Sequence, residues 1–167
     1  MSPKNRRLLV SHLVRYMDQL QREFAAGLIE RPDYTAALDT FLQQVCEQIE
    51  VIDDPRLERL VHVKGPGGET WYIACDHFGV DLEEAERREL YRSLSRMLGY
   101  VLVTNYLEFH WYIKGDRAVG ARLGRRVRPG GRPSLLRIPG GAEDVARLLG
   151  GILPARARSR KARRNTR

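Results

Sequence analysis

The chain of 167 residues contains only two cysteines, four lysines among 29 basic residues, and no apolar run near the roughly 20 residues that a membrane helix requires. Cys46 and Cys75 lack C-x-x-C spacing, which excludes a disulfide framework and leaves two reduced thiols as the expectation. Without a membrane span, and with Ser11, His12, Arg15 and Asp18 interrupting the segment after the basic opening, the chain shows no apolar signal centre. A cytoplasmic protein that makes no use of a membrane is expected.

Catalytic signatures are missing as well. There is no nucleophile elbow, no H-E-x-x-H and no dinucleotide fingerprint, and Gly65-Pro66-Gly67-Gly68 is not followed by the Lys-Ser/Thr and helix of a phosphate loop. His62, Cys75, Asp76, His77 and His110 have the ligand chemistry of a zinc site without its regular spacing. A metal-dependent nuclease using Asp76, Glu89 and Lys114 is therefore kept only as an alternative. The expectation is a protein that is not an enzyme and needs no cofactor.

What the second half lacks most is acid. Residues 101–167 carry 16 Lys/Arg against 4 Asp/Glu, whereas residues 1–100 carry 13 against 17. A segment so one-sided attracts polyanions through its field and through released counterions, so RNA or DNA is the expected partner class, with unpaired strands or RNA ahead of duplex. The preference for arginine suits bidentate phosphate contacts, although a GC-rich coding sequence biases composition the same way. The acidic first half is left for a protein partner.

A hydrophobic content of 43% with 30% charged residues is that of a globular chain. Leu9, Leu13, Tyr16, Met17, Leu20, Phe24 and Leu28 recur every three or four residues and predict a helix over residues 8–28. Pro32 interrupts it, Asp33 is placed to cap a second helix, and Leu38, Phe41, Leu42, Val45, Ile49 and Ile52 carry that helix toward Asp53-Asp54-Pro55. The two form a helical hairpin. Residues 60–64 and 70–74 then read as two strands around the glycine-proline turn. Asp81 is expected to cap a third helix over residues 82–98, with Gly99 as its stop.

Residues 100–104 and 106–114 are strand-like, the second with sharp alternation. Leu107, Phe109, Trp111 and Ile113 are assigned to the core, and Tyr106, Glu108, His110, Tyr112 and Lys114 to an exposed aromatic and charged face. Residues 114–137 then hold eight basic side chains against the single acid Asp116, among many glycines and prolines, and read as a basic loop or arm. A short docking helix follows over residues 142–149. Residues 154–167, with seven basic residues and no acid, are expected to be disordered, because they bury too little to offset chain entropy.

Ile73 to Asp81, with Gly79 as a turn glycine, followed by the helix and the strand-like residues to Lys114, resembles a winged helix-turn-helix. The resemblance covers residues 73–114 and implies a DNA-reading helix, yet Leu82-Glu83-Glu84-Ala85-Glu86 would open that helix with charges that repel phosphate. The expected fold is thus α+β: a helical hairpin, a small antiparallel sheet and a third helix in a domain over residues 6–114, a Gly/Arg arm with docking helix over 115–153, and a cationic tail over 154–167. The expected function is non-enzymatic nucleic-acid binding as an accessory subunit of a larger assembly. Arg117, Arg122, Arg125, Arg126, Arg128 and Arg132, with Lys114, would neutralise phosphates, and Tyr106, His110 and Tyr112 would stack on bases. The alternative to both nucleic acid and nuclease is an adaptor whose basic end binds an acidic protein.

Overall fold

A computed structural model of the chain describes residues 2–26, 33–64, 68 and 70–150. The first helical stripe forms α1 (Pro3–Ala26), burying Leu9, Leu13, Tyr16, Met17 and Leu20. Helix α2 (Tyr34–Val45) is capped as expected by Asp33, whose carboxylate accepts the Ala36 N–H at 3.0 Å, a contact worth about 1 kcal/mol. It ends seven residues before Ile52, however. Cys46 turns extended, and Gln48–Ile52 becomes strand β1 because Ile49 and Val51 are β-branched and the segment alternates.

Strand β1 pairs antiparallel with β2 (Arg59–Lys64), and β2 with β3 (Thr70–Cys75). The glycine-proline turn expected between β2 and β3 lies largely outside the described residues. After β3 the chain crosses through α3 (Ala85–Leu98) to β4 (Tyr100–Thr104), which runs parallel to β3. β5 (Glu108–Ile113) and β6 (Asp116–Arg122) then add antiparallel hairpins, giving one six-stranded mixed sheet in the sequential order β1 to β6. A second, two-stranded sheet follows, β7 (Gly124–Val127) with β8 (Ser134–Arg137), and helix α4 (Gly141–Leu149) closes the described chain.

The main sheet is covered on both faces. On one face α1, α2 and α4 bury Val61, Val63, Trp71, Ile73, Leu102, Phe109 and Trp111. On the other, α3 buries Leu60, Ala74, Tyr91, Leu94, Val101, Val103 and Tyr112. The architecture is α+β.

Several expectations are corrected here. The sheet is six-stranded and mixed, rather than small and antiparallel. No helix-turn-helix forms over residues 73–98: Ile73 and Cys75 lie in a buried strand, and Gly79, at φ +68°, turns the chain out of it. Helix α3 starts at Ala85, later than expected, since Asp81 spends its carboxylate on the Glu83 N–H (2.9 Å) within the preceding turn. The expected loose arm is mostly ordered secondary structure. Residues 116–122 are the edge strand of the main sheet, residues 124–137 a hairpin braced on α1, and α4 inserts Val145, Ala146 and Leu149 into the core. Residues 151–167, including the cationic tail, lie outside the described residues.

Candidate nucleic-acid interface

The three side chains expected to stack on bases are not on the surface. Tyr106 is fully buried, its backbone carbonyl accepting the Tyr16 hydroxyl at 3.0 Å and its own hydroxyl donating to Glu58 at 3.1 Å. It stands at φ 73°, just before β5, so it does not share the strand's alternation. Tyr112 lies under α3, edge-on to Tyr91 with ring centres 5.7 Å apart. His110 is 4% exposed. The expectation of an exposed face fails for two reasons: Tyr106 turns into the core on the α1 side before β5 begins, and the crossover that carries α3 covers the β5 face that holds Tyr112.

His110 is the centre of a chain of alternating charge. Its Nε2 lies 3.3 Å from Glu108, which pairs with Arg122, and its Nδ1 lies 3.8 Å from Glu83, which pairs with Arg117. Burial pushes the Glu108 carboxyl up, but the hydrogen bond from His110 and the charge of Arg122 outweigh it and hold the group below the usual carboxylate range. The histidine fits only because its cross-strand partner is Gly120, where a Cβ would stand 2.8 Å from His110 Cδ2. Arg117 and Arg122 are therefore engaged within the fold.

The positions of the remaining basic residues divide them. Lys114 occupies the β5–β6 turn, where its N–H donates to the Gly99 carbonyl at 3.0 Å. It is separated from β7 by the length of β6, roughly 20 Å at strand rise. Arg125, Arg126, Arg128 and Arg132 are exposed on the β7–β8 hairpin, at the other end of the sheet. None of these four forms an ion pair among the described residues; Glu83, Glu108 and Asp18 are taken by Arg117, Arg122 and, on β8, Arg137, which also binds Gln21 of α1. Part of the charge asymmetry of the sequence is thus cancelled by folding, while the hairpin tip keeps its charge.

The hairpin is held firmly at its base. Leu135 is buried in the main core, Gln21 of α1 donates to the Leu135 carbonyl at 3.0 Å, and the Ile138 N–H donates to Leu123 at 2.9 Å. Gly124 packs where a Cβ would meet Met17. Pro129–Gly131 make the turn, with Gly130 and Gly131 both at positive φ, so Arg128 and Arg132 flank a tip that only glycines follow easily.

Beside the hairpin lies an aromatic group that no local pattern announces. Tyr34, at the start of α2, stacks on Phe78, in the turn after β3, with ring centres 3.7 Å apart and planes 12° from parallel; both are half-buried. Arg126 reaches this group: a Cβ on Gly79 would stand 3.0 Å from its Cδ, and its positive charge opposes the upward push that burial gives the Tyr34 phenol. Tyr34 and Phe78 are 44 positions apart and lie in segments of different periodicity, so only the fold joins them.

The residues considered for a metal do not converge. Cys75 is buried on the α1–α2 face, its thiol pushed up to about 12 by burial, whereas His62 stacks on Tyr72 at 4.9 Å and His110 lies between Glu108 and Glu83. Among the described residues no group of three His, Cys, Asp or Glu side chains is placed to hold a metal ion. Asp76 serves the fold: it accepts the Tyr91 hydroxyl at 2.6 Å and the His77 N–H at 2.7 Å, and pairs with Arg87. Among the described residues no helix is long and apolar enough to cross a membrane. No family model matches the chain, and no curated protein or solved structure does so either.

Proposed function

We propose that the chain is a non-enzymatic nucleic-acid-binding protein, an accessory subunit of a larger assembly, whose phosphate contacts are made by the β7–β8 hairpin. The observation that carries this reading is the set of four exposed arginines, Arg125, Arg126, Arg128 and Arg132, without a carboxylate partner among the described residues, on a hairpin braced against α1. Exposed guanidinium groups at fixed spacing suit phosphate oxygens, and leaving them mutually repelling costs stability that an anionic partner returns. Arg117 and Arg122, committed to Glu83 and Glu108, contribute less.

Fluorescence anisotropy with labelled single-stranded RNA, single-stranded DNA and duplex DNA across a salt series tests the reading. Changing the four hairpin arginines to alanine in the full chain should flatten the salt dependence by about 0.7–0.9 in slope per lost phosphate contact. A parallel variant with the arginines of residues 156–167 changed to glutamine should keep most of its slope. An unchanged slope in the hairpin variant, with loss in the tail variant, would remove the hairpin from the interface.

A further inference from the structure

We infer that the stacked pair Tyr34 and Phe78 is the platform on which an unpaired base of the bound strand lies, making the interface selective for single strands. This rests on the proposed nucleic-acid binding and names the form of the polymer.

The pair has the geometry a base prolongs. Its rings are nearly parallel at van der Waals separation, and it is backed by Phe24 and Tyr106, whose ring centres lie 6.0 and 6.3 Å from that of Phe78. Phe24, Tyr34 and Phe78 form a half-buried rim on the main core, while Tyr106 lies within it, so a base placed there adds to an existing aromatic surface and need not open the fold.

Charge places the strand. Arg126 lies along Gly79, the neighbour of Phe78, while Arg125 precedes it on β7. A phosphate held by the Arg126 guanidinium brings its own nucleotide within reach of Tyr34, since sugar and base extend from the phosphate by about the length of one side chain, while Arg125, on the opposite face of β7, is left for a neighbouring phosphate. Carboxylates are present too: Glu23 acts on the Tyr34 phenol, and Glu58 accepts from Tyr106. They disfavour phosphate directly over the rings and leave that place to a base, whose exocyclic amine can donate to a carboxylate. In a duplex every base is already stacked and paired, so only a single strand gains from the platform, by roughly five- to a hundredfold in affinity per stacked base.

The test is titration of the full chain with single-stranded RNA carrying 2-aminopurine, beside a duplex of equal length. Wild type should quench the probe and prefer the single strand. Tyr34→Leu, which keeps apolar volume without a ring, should lose the quenching and weaken single-strand binding about fivefold or more, while duplex binding stays within twofold. Tyr34→Phe should restore both, which separates the ring from any effect on folding. A Tyr34→Leu protein that melts like wild type and still quenches, with an unchanged preference, would overturn the platform while leaving hairpin binding intact. Absence of any wild-type binding at low salt would overturn both.

Discussion

Replacing Asp76 tests how the crossover helix is held to the sheet. The carboxylate is 1% exposed and has three partners: the Tyr91 hydroxyl at 2.6 Å, the His77 N–H at 2.7 Å and the Arg87 guanidinium. In Asp76→Ala the Tyr91 hydroxyl, on a side chain with no exposed surface, is left without its acceptor, a loss of about 1–3 kcal/mol. Arg87 is 29% exposed and retains Glu84 at 3.1 Å, so it turns to solvent and to that neighbour instead of remaining a buried, unpaired charge. The total therefore falls at the lower end of the roughly 3–5 kcal/mol seen when buried pairs are broken, about 3 kcal/mol. For a chain of this length that corresponds to a fall in Tm of about 6–12 °C. Urea unfolding followed by tryptophan fluorescence, with Trp71 and Trp111 in the core, supplies the assay. Asp76→Asn, which keeps an acceptor for Tyr91, should lose only about half as much. A loss under about 1 kcal/mol for Asp76→Ala, with an unchanged m-value, would refute the view that this carboxylate pins α3.

Other consequences follow from single contacts. Gly120→Val should cost about 1–3 kcal/mol by urea unfolding, because its first added carbon meets the His110 ring; Gly130→Ala at the hairpin tip meets no neighbour, and its cost of about 1–2 kcal/mol is that of a side chain held at φ +59°. Asp76 and Glu108 both have carboxyl groups held below their usual range: burial raises them, but hydrogen bonds from Tyr91 and Arg87 to Asp76, and the hydrogen bond from His110 with the charge of Arg122 on Glu108, outweigh it. Their stabilisation is therefore complete above the unfolded carboxylate range and is lost as pH falls through the lowered folded values, so stability should drop below about pH 4. In Asp76→Asn the difference in stability between pH 6 and pH 3 should shrink; an equal difference would exclude Asp76 as a source. Both cysteines are buried and the Cys75 thiol is pushed up to about 12, so a thiol reagent at neutral pH should label the native protein only at its unfolding rate. Rapid labelling in the absence of denaturant would contradict that burial.

Much of the architecture is legible wherever one local period dominates. The stripe of α1, the Asp33 cap and the alternation of β5 are of this kind. The segment after Val45 is not, because Ile49 and Ile52 fit a three-residue helical step while Ile49 and Val51 fit a two-residue strand step, and pairing with β2 decides the matter. Residues 116–122 hold glycine, alanine and arginine and look like a loose arm; they form a strand because β5 offers an edge and Gly120 makes room for His110. The same principle governs the candidate site. Alternation shows that His110 and Tyr112 share a face, but not that α3 will cover it, since that depends on a crossover over 24 residues from β3 to β4. Excess charge in the second half is visible in composition, whereas which arginines remain unpaired depends on Asp18, Glu83 and Glu108, distant acids brought alongside by the fold.

The most direct measurement is an NMR titration that follows the arginine side-chain Nε–Hε signals of the labelled full chain as single-stranded RNA is added. Signals of Arg125, Arg126, Arg128 and Arg132 should shift early and together, while those of Arg117 and Arg122, tied to Glu83 and Glu108, move little. Shifts confined to arginines of residues 156–167, or no shift in the hairpin at concentrations where binding is complete, would contradict this.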